Sequence, residues 1–120
     1  MSRSTPTDIK LHQKSALFEI SFDDGGHFEL SCEMLRVYSP SAEVRGHGPG
    51  QNVLQVGKES VGINEIEPVG NYAVRLVFDD GHDTGIYSWD YLYDLGENRD
   101  KYWSDYLQAL KDAGHEHTAH

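Results

Sequence analysis

Cysteine is nearly absent from this 120-residue chain, and the single Cys32 excludes an internal disulfide and suits a reducing compartment. Basic residues are scarce as well. Ten Lys and Arg stand against twenty Asp and Glu, a net charge of −10 with the seven histidines neutral. Such a field repels phosphate backbones and anionic lipid, so nucleic acid or a membrane surface would need a local basic patch. The nearest thing to one, Arg99 and Lys101, has Asp100 between its members. No apolar run approaches the ~20 residues of a membrane span. Met1 to Thr7 lacks the apolar core of a secretion signal, so a soluble, cytoplasmic protein is expected. There is no Gly-x-Ser-x-Gly elbow and no phosphate loop. Gly46, Gly48 and Gly50 alternate without the strand before and helix after that a dinucleotide site requires. The acidity itself reads as solubility or, more sharply, as the complement of a basic partner protein.

What the chain does have is a repeated stretch. Phe78 to Leu92, FDDGHDTGIYSWDYL, holds a strand end, an Asp-Gly turn, a second extended run and a helix start. Aspartate bonds its own backbone and glycine accepts positive φ, which makes Asp79-Asp80-Gly81 a turn. Ser88 stands where an N-cap would, with Asp90 in the first turn, where the helix dipole favours a carboxylate. Residues 22–35, FDDGGHFELSCEML, repeat the order. Phe22 to Gly25 match Phe78 to Gly81, and Ser31 to Leu35 match Ser88 to Leu92, with one extra residue in the second copy. The expected fold is α+β: small antiparallel β-sheets built from two strand-turn-strand-helix units, plus a C-terminal helix.

The boundaries follow from local pattern. Residues 1–7 read as a disordered N-terminus, 8–113 as a single domain, and 114–120 as a flexible tail. Strands are expected over Asp8 to Gln13, Ala16 to Phe22, His27 to Leu30, a short Val53 to Val56, Val61 to about Pro68, and Tyr72 to Phe78. Ser39 to Asn52 is a glycine- and proline-rich loop of a length that is often functional. A helix from Trp89 to Leu95 should stop at Gly96. The last helix, from about Arg99 to Ala113, carries Tyr102, Trp103, Tyr106, Leu107 and Leu110 on one face, with Gly114 as its stop.

Histidine carries most of the candidate chemistry. His115, His117 and His120 lie in the tail, where chelation would be adventitious. His27 and Glu29 form a His-x-Glu pair reminiscent of an iron facial triad, but the chain is too short for the barrel such a site needs. His82 is the most informative. It follows the turn glycine, sits beside Asp83, and has Tyr87 and Trp89 close in sequence; a neighbouring carboxylate can orient an imidazole as ligand or base. The bland alternative is a turn histidine bonded to backbone. Cys32 falls where the second copy has Trp89, which points to packing. No motif demands a cofactor; iron or zinc are the metals that His82, with Asp83 and His47 from the glycine loop, would offer a site to.

The run DDGHDTGIYSWDYL, with an earlier copy ending in Glu33-Met34-Leu35-Arg36, resembles the gamma-butyrobetaine hydroxylase-like N-terminal domain family over about Ile9 to Gly96. The resemblance implies a domain found alone in small bacterial proteins, fused ahead of 2-oxoglutarate/iron oxygenase domains, and attached to P-loop ATPases that carry iron–sulfur clusters. In the hydroxylases it also implies a structural zinc held by three cysteines and a histidine. Here Ser39, Ser41 and Val44 stand where those cysteines would be, and His82 falls near the histidine, so that zinc site is not expected. The oxygenase barrel is absent, and hydroxylation does not transfer. Three functions follow as expectations. The first is a non-enzymatic binding or adaptor module accessory to iron–sulfur or metalloprotein maturation, with a P-loop ATPase or cluster carrier as partner. The second is a metal-binding protein using His82 and Asp83. The third is a small enzyme with His82 as base.

Overall fold

The computed structural model describes residues 5–41 and 54–115. It holds two three-stranded antiparallel sheets, β1 (Pro6–His12), β2 (Leu17–Phe22) and β3 (His27–Ser31), then β4 (Ile63–Val69), β5 (Ala73–Phe78) and β6 (Ile86–Ser88), each in sequential order. Each sheet leads into a helix, α1 (Cys32–Val37) and α2 (Trp89–Glu97), and α3 (Arg99–Asp112) closes the chain. The expected α+β architecture of two repeated units is therefore present.

The repeat holds bond by bond. Ser31 Oγ accepts the Met34 N–H and Ser88 Oγ the Tyr91 N–H, so both helices start on the same serine cap. At the turns, the Phe22 N–H donates to the Gly26 carbonyl (2.8 Å) and the Phe78 N–H to the His82 carbonyl (2.9 Å). Gly25 and Gly81 carry φ of 90° and 91°, a conformation that an L side chain strains to adopt. The register of the first strand pair shifts between Pro6 and Asp8 opposite Phe22, and between Ile63 and Glu65 opposite Phe78. Even the bulges recur.

Alternation then sets the core. Phe18, Ile20 and Phe22 on β2, and Val74, Leu76 and Phe78 on β5, are buried in one cluster with Leu30, Leu35, Tyr87, Leu92 and Leu95. Val37 of α1 packs separately with Tyr106 and Leu110 of α3. The apolar face read for α3 is thus real but shallower than expected: Tyr102, Trp103 and Leu107 remain half-exposed.

Several boundaries differ from expectation, β4 starting at Ile63 rather than Val61 and β5 at Ala73 rather than Tyr72. β1 begins at Pro6, before Asp8. Residues 54–56 form no strand; Leu54 and Val56 are exposed and Val53 lies outside the described residues, as does most of the Ser39 to Asn52 loop. Gly96 does not stop α2 but lies inside it. A Cβ there would sit 2.3 Å from Phe28 Cγ, so its lack of a side chain lets the helix approach β3.

Helix propensity alone would make Gly96→Ala stabilising by about 0.5–1 kcal/mol. Overpacking against Phe28 reverses the sign. Gly96→Ala is expected to lower stability by about 1–3 kcal/mol, read as a fall in the urea midpoint, and adding Phe28→Ala should abolish most of that difference. A variant as stable as the parent would refute the packing role.

Candidate functional site

The Asp-Gly turn of the second unit places His82 inward. Its ring is buried, 6 % exposed, with Nε2 2.9 Å from Ser39 Oγ and the Phe78 ring 6.0 Å away. Ser39 Oγ also accepts the Ser41 N–H, and Ser41 Oγ lies 2.7 Å from Thr84 Oγ1. Tyr87 completes this buried polar nest, its phenol donating to the Leu35 carbonyl. Burial drives the Tyr87 hydroxyl far above its ordinary range, so it stays protonated and acts as a donor. Gly85 makes room, since a Cβ there would stand 2.3 Å from Ser39 Oγ.

The other two expected site residues turn away. Asp83 faces Arg75, Oδ2 lying 3.6 Å from Nη1, while the Arg75 Nη1 also donates to the Asp83 carbonyl. Trp89 donates its indole N–H to the Asn71 carbonyl at the far end of the sheet. His82 and Tyr87 therefore share surroundings, whereas Asp83 does not orient the imidazole and Trp89 is not beside it. His82 and Asp83 lie in the connection between β5 and β6, which turns one side chain toward Ser39 and the other toward Arg75, and adjacency in sequence conceals this.

Ser39 and His82, which the resemblance assigns to its relatives' zinc centre, do meet. They do not suit zinc. Two neutral hydroxyls replace thiolates, and those hydroxyls are engaged by His82 and Thr84. Among the described residues no group of three His, Cys, Asp or Glu side chains is placed to hold a metal ion. Val44 and His47 lie outside the described residues. His27 bonds Glu19 rather than joining Glu29, and Glu19 also takes His12 (2.7 Å), so two imidazoles share one carboxylate on the exposed face of the first sheet. The His12 and His27 bonds hold the Glu19 carboxyl below its usual range. Cys32 is buried, and that burial lifts its thiol to about 11, leaving it inert as a nucleophile.

Beneath His82, Asp80 ties the halves together. Its Oδ2 accepts from Arg36 Nε (2.9 Å) and Lys58 Nζ (2.8 Å), and Oδ1 from the His82 N–H. Burial would raise this carboxyl, but Lys58, the His82 amide and Arg36 together outweigh it and hold it at about 2.

A concave surface lies elsewhere among the described residues. A groove of about 770 Å³ opens between the β1–β2 turn, the start of α1 and the exposed side of α3. Glu33 and Met34 line it from α1, Trp103 and Leu107 from α3, and Glu59 and Val61 from the segment before β4. A second depression of about 460 Å³ shares Asp100, Trp103 and Leu107 and continues along α3 to Lys111. Its signal in the sequence was the helical face of α3, whose aromatic members exceed what the core covers.

The family model described as gamma-butyrobetaine hydroxylase-like, N-terminal, matches residues 9–93. Two proteins with NMR solution structures are similar to nearly the whole chain. One is 54% identical, the alignment covering 99% of this chain and 91% of that one at a TM-score of 0.83. The other is 46% identical, covering 96% and 90% at 0.82. A crystal structure of a protein of unknown function from Acidithiobacillus ferrooxidans, in the DUF971 family, is 39% identical over 77% of this chain and 92% of that one, with a TM-score of 0.65. No curated protein matches.

Asp80 generates a pH prediction. Its folded value of about 2 lies below the ordinary 3.8, so its stabilisation is fully present above about pH 4 and is lost as pH falls toward 2. Asp80→Asn should cost about 2 kcal/mol at neutral pH. The gap between variant and parent should close between pH 4 and 2 in urea unfolding. A gap independent of pH across that window would exclude the charged role.

Proposed function

The chain belongs to the gamma-butyrobetaine hydroxylase-like, N-terminal family, an uncharacterised domain type, and from that premise we propose that it works as a non-catalytic binding module. The observation that carries this reading is the groove along α3, where Trp103 and Leu107, packed on one side against Val37, Tyr106 and Leu110, stay half-exposed and line two adjoining depressions. Protein interfaces concentrate their energy on such aromatic anchors set in pockets. The groups that could carry catalysis are engaged in structure instead. His82 is bonded to Ser39, Cys32 is buried with a raised thiol, and Tyr87 is a buried donor.

The partner class follows from the family's fused architectures: a P-loop ATPase or cluster carrier in iron–sulfur or metalloprotein maturation. That link is by association with fold relatives. A metal site on His82 with Asp83 has less support, because the two side chains diverge. An acid–base enzyme on His82 has less still, since a base must reach solvent or substrate.

The test uses the untagged full chain, immobilised, to capture a P-loop ATPase or cluster carrier from its own cell extract. Leu107→Asp should cut retention at least about tenfold, a loss typical of a disrupted anchor, and His82→Ala should leave both retention and metal content unchanged. Retention undiminished by Leu107→Asp in folded protein would rule out the groove as the binding surface. Stoichiometric metal lost in the His82→Ala variant would favour the metal-binding alternative.

A further inference from the structure

We propose that the groove along α3 receives an extended, basic segment of the partner, with one lysine or arginine side chain lying over Trp103 and reaching toward Glu33. This rests on the groove being the binding surface and adds the chemistry of what fills it.

Charge is the first argument. Glu29, Glu33, Glu59 and Asp100 line the larger depression, against Lys14 and Arg99. Arg99 and Asp100 offset each other, Nε lying 3.6 Å from an Asp100 carboxylate oxygen while Nη1 donates to the Glu29 carbonyl at 3.0 Å, which leaves Glu29, Glu33 and Glu59 against Lys14. The concavity is therefore acidic within a chain whose net charge is −10, and walls of low dielectric focus that field onto an incoming cation.

Glu33 supplies the second. Only 8 % of it is exposed, yet it borders the groove, and Oε2 accepts the Tyr106 hydroxyl at 2.7 Å. Burial and Glu33 itself push that phenol well above its usual range, so Tyr106 remains a neutral donor. A carboxylate at this depth attracts a cation more strongly than one in open water. Trp103, on the opposite wall, offers an indole, the side chain that binds ammonium and guanidinium groups best through its face.

Shape decides between a small cation and a peptide. The two depressions share Asp100, Trp103 and Leu107, and together follow α3 from Asp100 to Lys111. That is about 16 Å of helix, the reach of about five extended residues. Lys111 at the far end gives the groove a direction, with its acidic mouth at the α3 N-terminus.

The probe is a fluorescein-labelled nonapeptide of alternating arginine and alanine, titrated against the full chain by anisotropy at low and physiological salt, with the glutamate–alanine counterpart beside it. The arginine peptide should bind and the glutamate peptide should not. Glu59→Gln with Asp100→Asn should weaken the arginine peptide at least tenfold. Glu65→Gln with Glu97→Gln makes the same change in net charge outside the groove and should alter affinity less than twofold. Trp103→Phe should retain more affinity than Trp103→Leu at equal stability. Equal weakening by the two double variants would overturn the proposal, because attraction by the overall charge would then suffice. Comparable binding of the glutamate peptide would overturn it too. If the arginine peptide fails while Leu107→Asp still abolishes partner capture, the basic occupant is wrong and the groove stands. If both fail, the groove reading falls as well. Self-association lost in Leu107→Asp, without peptide binding, would assign the groove to a second copy instead.

Discussion

Each half of this domain is fastened by the helix of the other half. Arg36, in the second turn of α1, reaches the Asp80 carboxylate in the β5–β6 turn. Tyr93, at the matching position of α2, donates its hydroxyl to Asp24 in the β2–β3 turn. The same contact is made in both directions, the pattern a twofold interface produces between identical chains. A hairpin leading into a short helix buries too little to stand alone, and a six-residue α1 is far below the length at which helices persist unaided. Two such units, each closing over the other's turn, share one core.

Reciprocity also shows where the halves have diverged. Phe28 on β3 stacks against Gly96 of α2, while at the matching places Gly85 lies against Ser39 just beyond α1. One crossing is filled from the strand side by a ring, the other from the helix side by a hydroxyl. Phe22, Phe28 and Tyr93 form an aromatic trio at the first, with centroids 4.9–6.1 Å apart. The second holds the polar nest of Ser39, His82 and Tyr87. His82 occupies the place of Gly26, where a Cβ would meet the Tyr93 hydroxyl at 3.2 Å. The imidazole thus fills space that in the first half belongs to the neighbouring tyrosine, which accounts for its burial without invoking a ligand.

Much of this was legible in the sequence because it is local. Turn chemistry at Asp24-Gly25 and Asp80-Gly81, caps at Ser31 and Ser88, and alternation along β2 and β5 each act within a few residues. The buried leucines recurred in the same order. What sequence could not display is which partner each special residue serves. Gly96 reads as a helix stop because glycine usually is one there, yet its φ is ordinary and its neighbour is a ring from β3. Asp83 and His82 look like a pair, but the loop between β5 and β6 turns His82 toward Ser39 and Asp83 toward Arg75. Ala16, with φ of 54°, carries no local signal for the left-handed region at all. At the candidate site, His82 and Tyr87 were found together and Trp89 and Asp83 were not. The groove itself was readable only as an apolar stripe on α3 without an assigned partner.

Among the described residues α3 has no counterpart in the first half, and its outer side frames the concave surface. α3 docks on α1 through Tyr106 and Leu110 against Val37, through the Tyr106–Glu33 hydrogen bond, and through the Tyr38 hydroxyl on the Tyr102 carbonyl. All of these lie along one edge of the helix. A helix held along one edge, over a neighbour only six residues long, overhangs it. The overhang leaves Trp103 and Leu107 facing the β1–β2 turn across a gap that the chain's own described residues do not close. Reciprocal packing of the two units closes the shared core, and α3, held along one edge, leaves its outer side lining the groove.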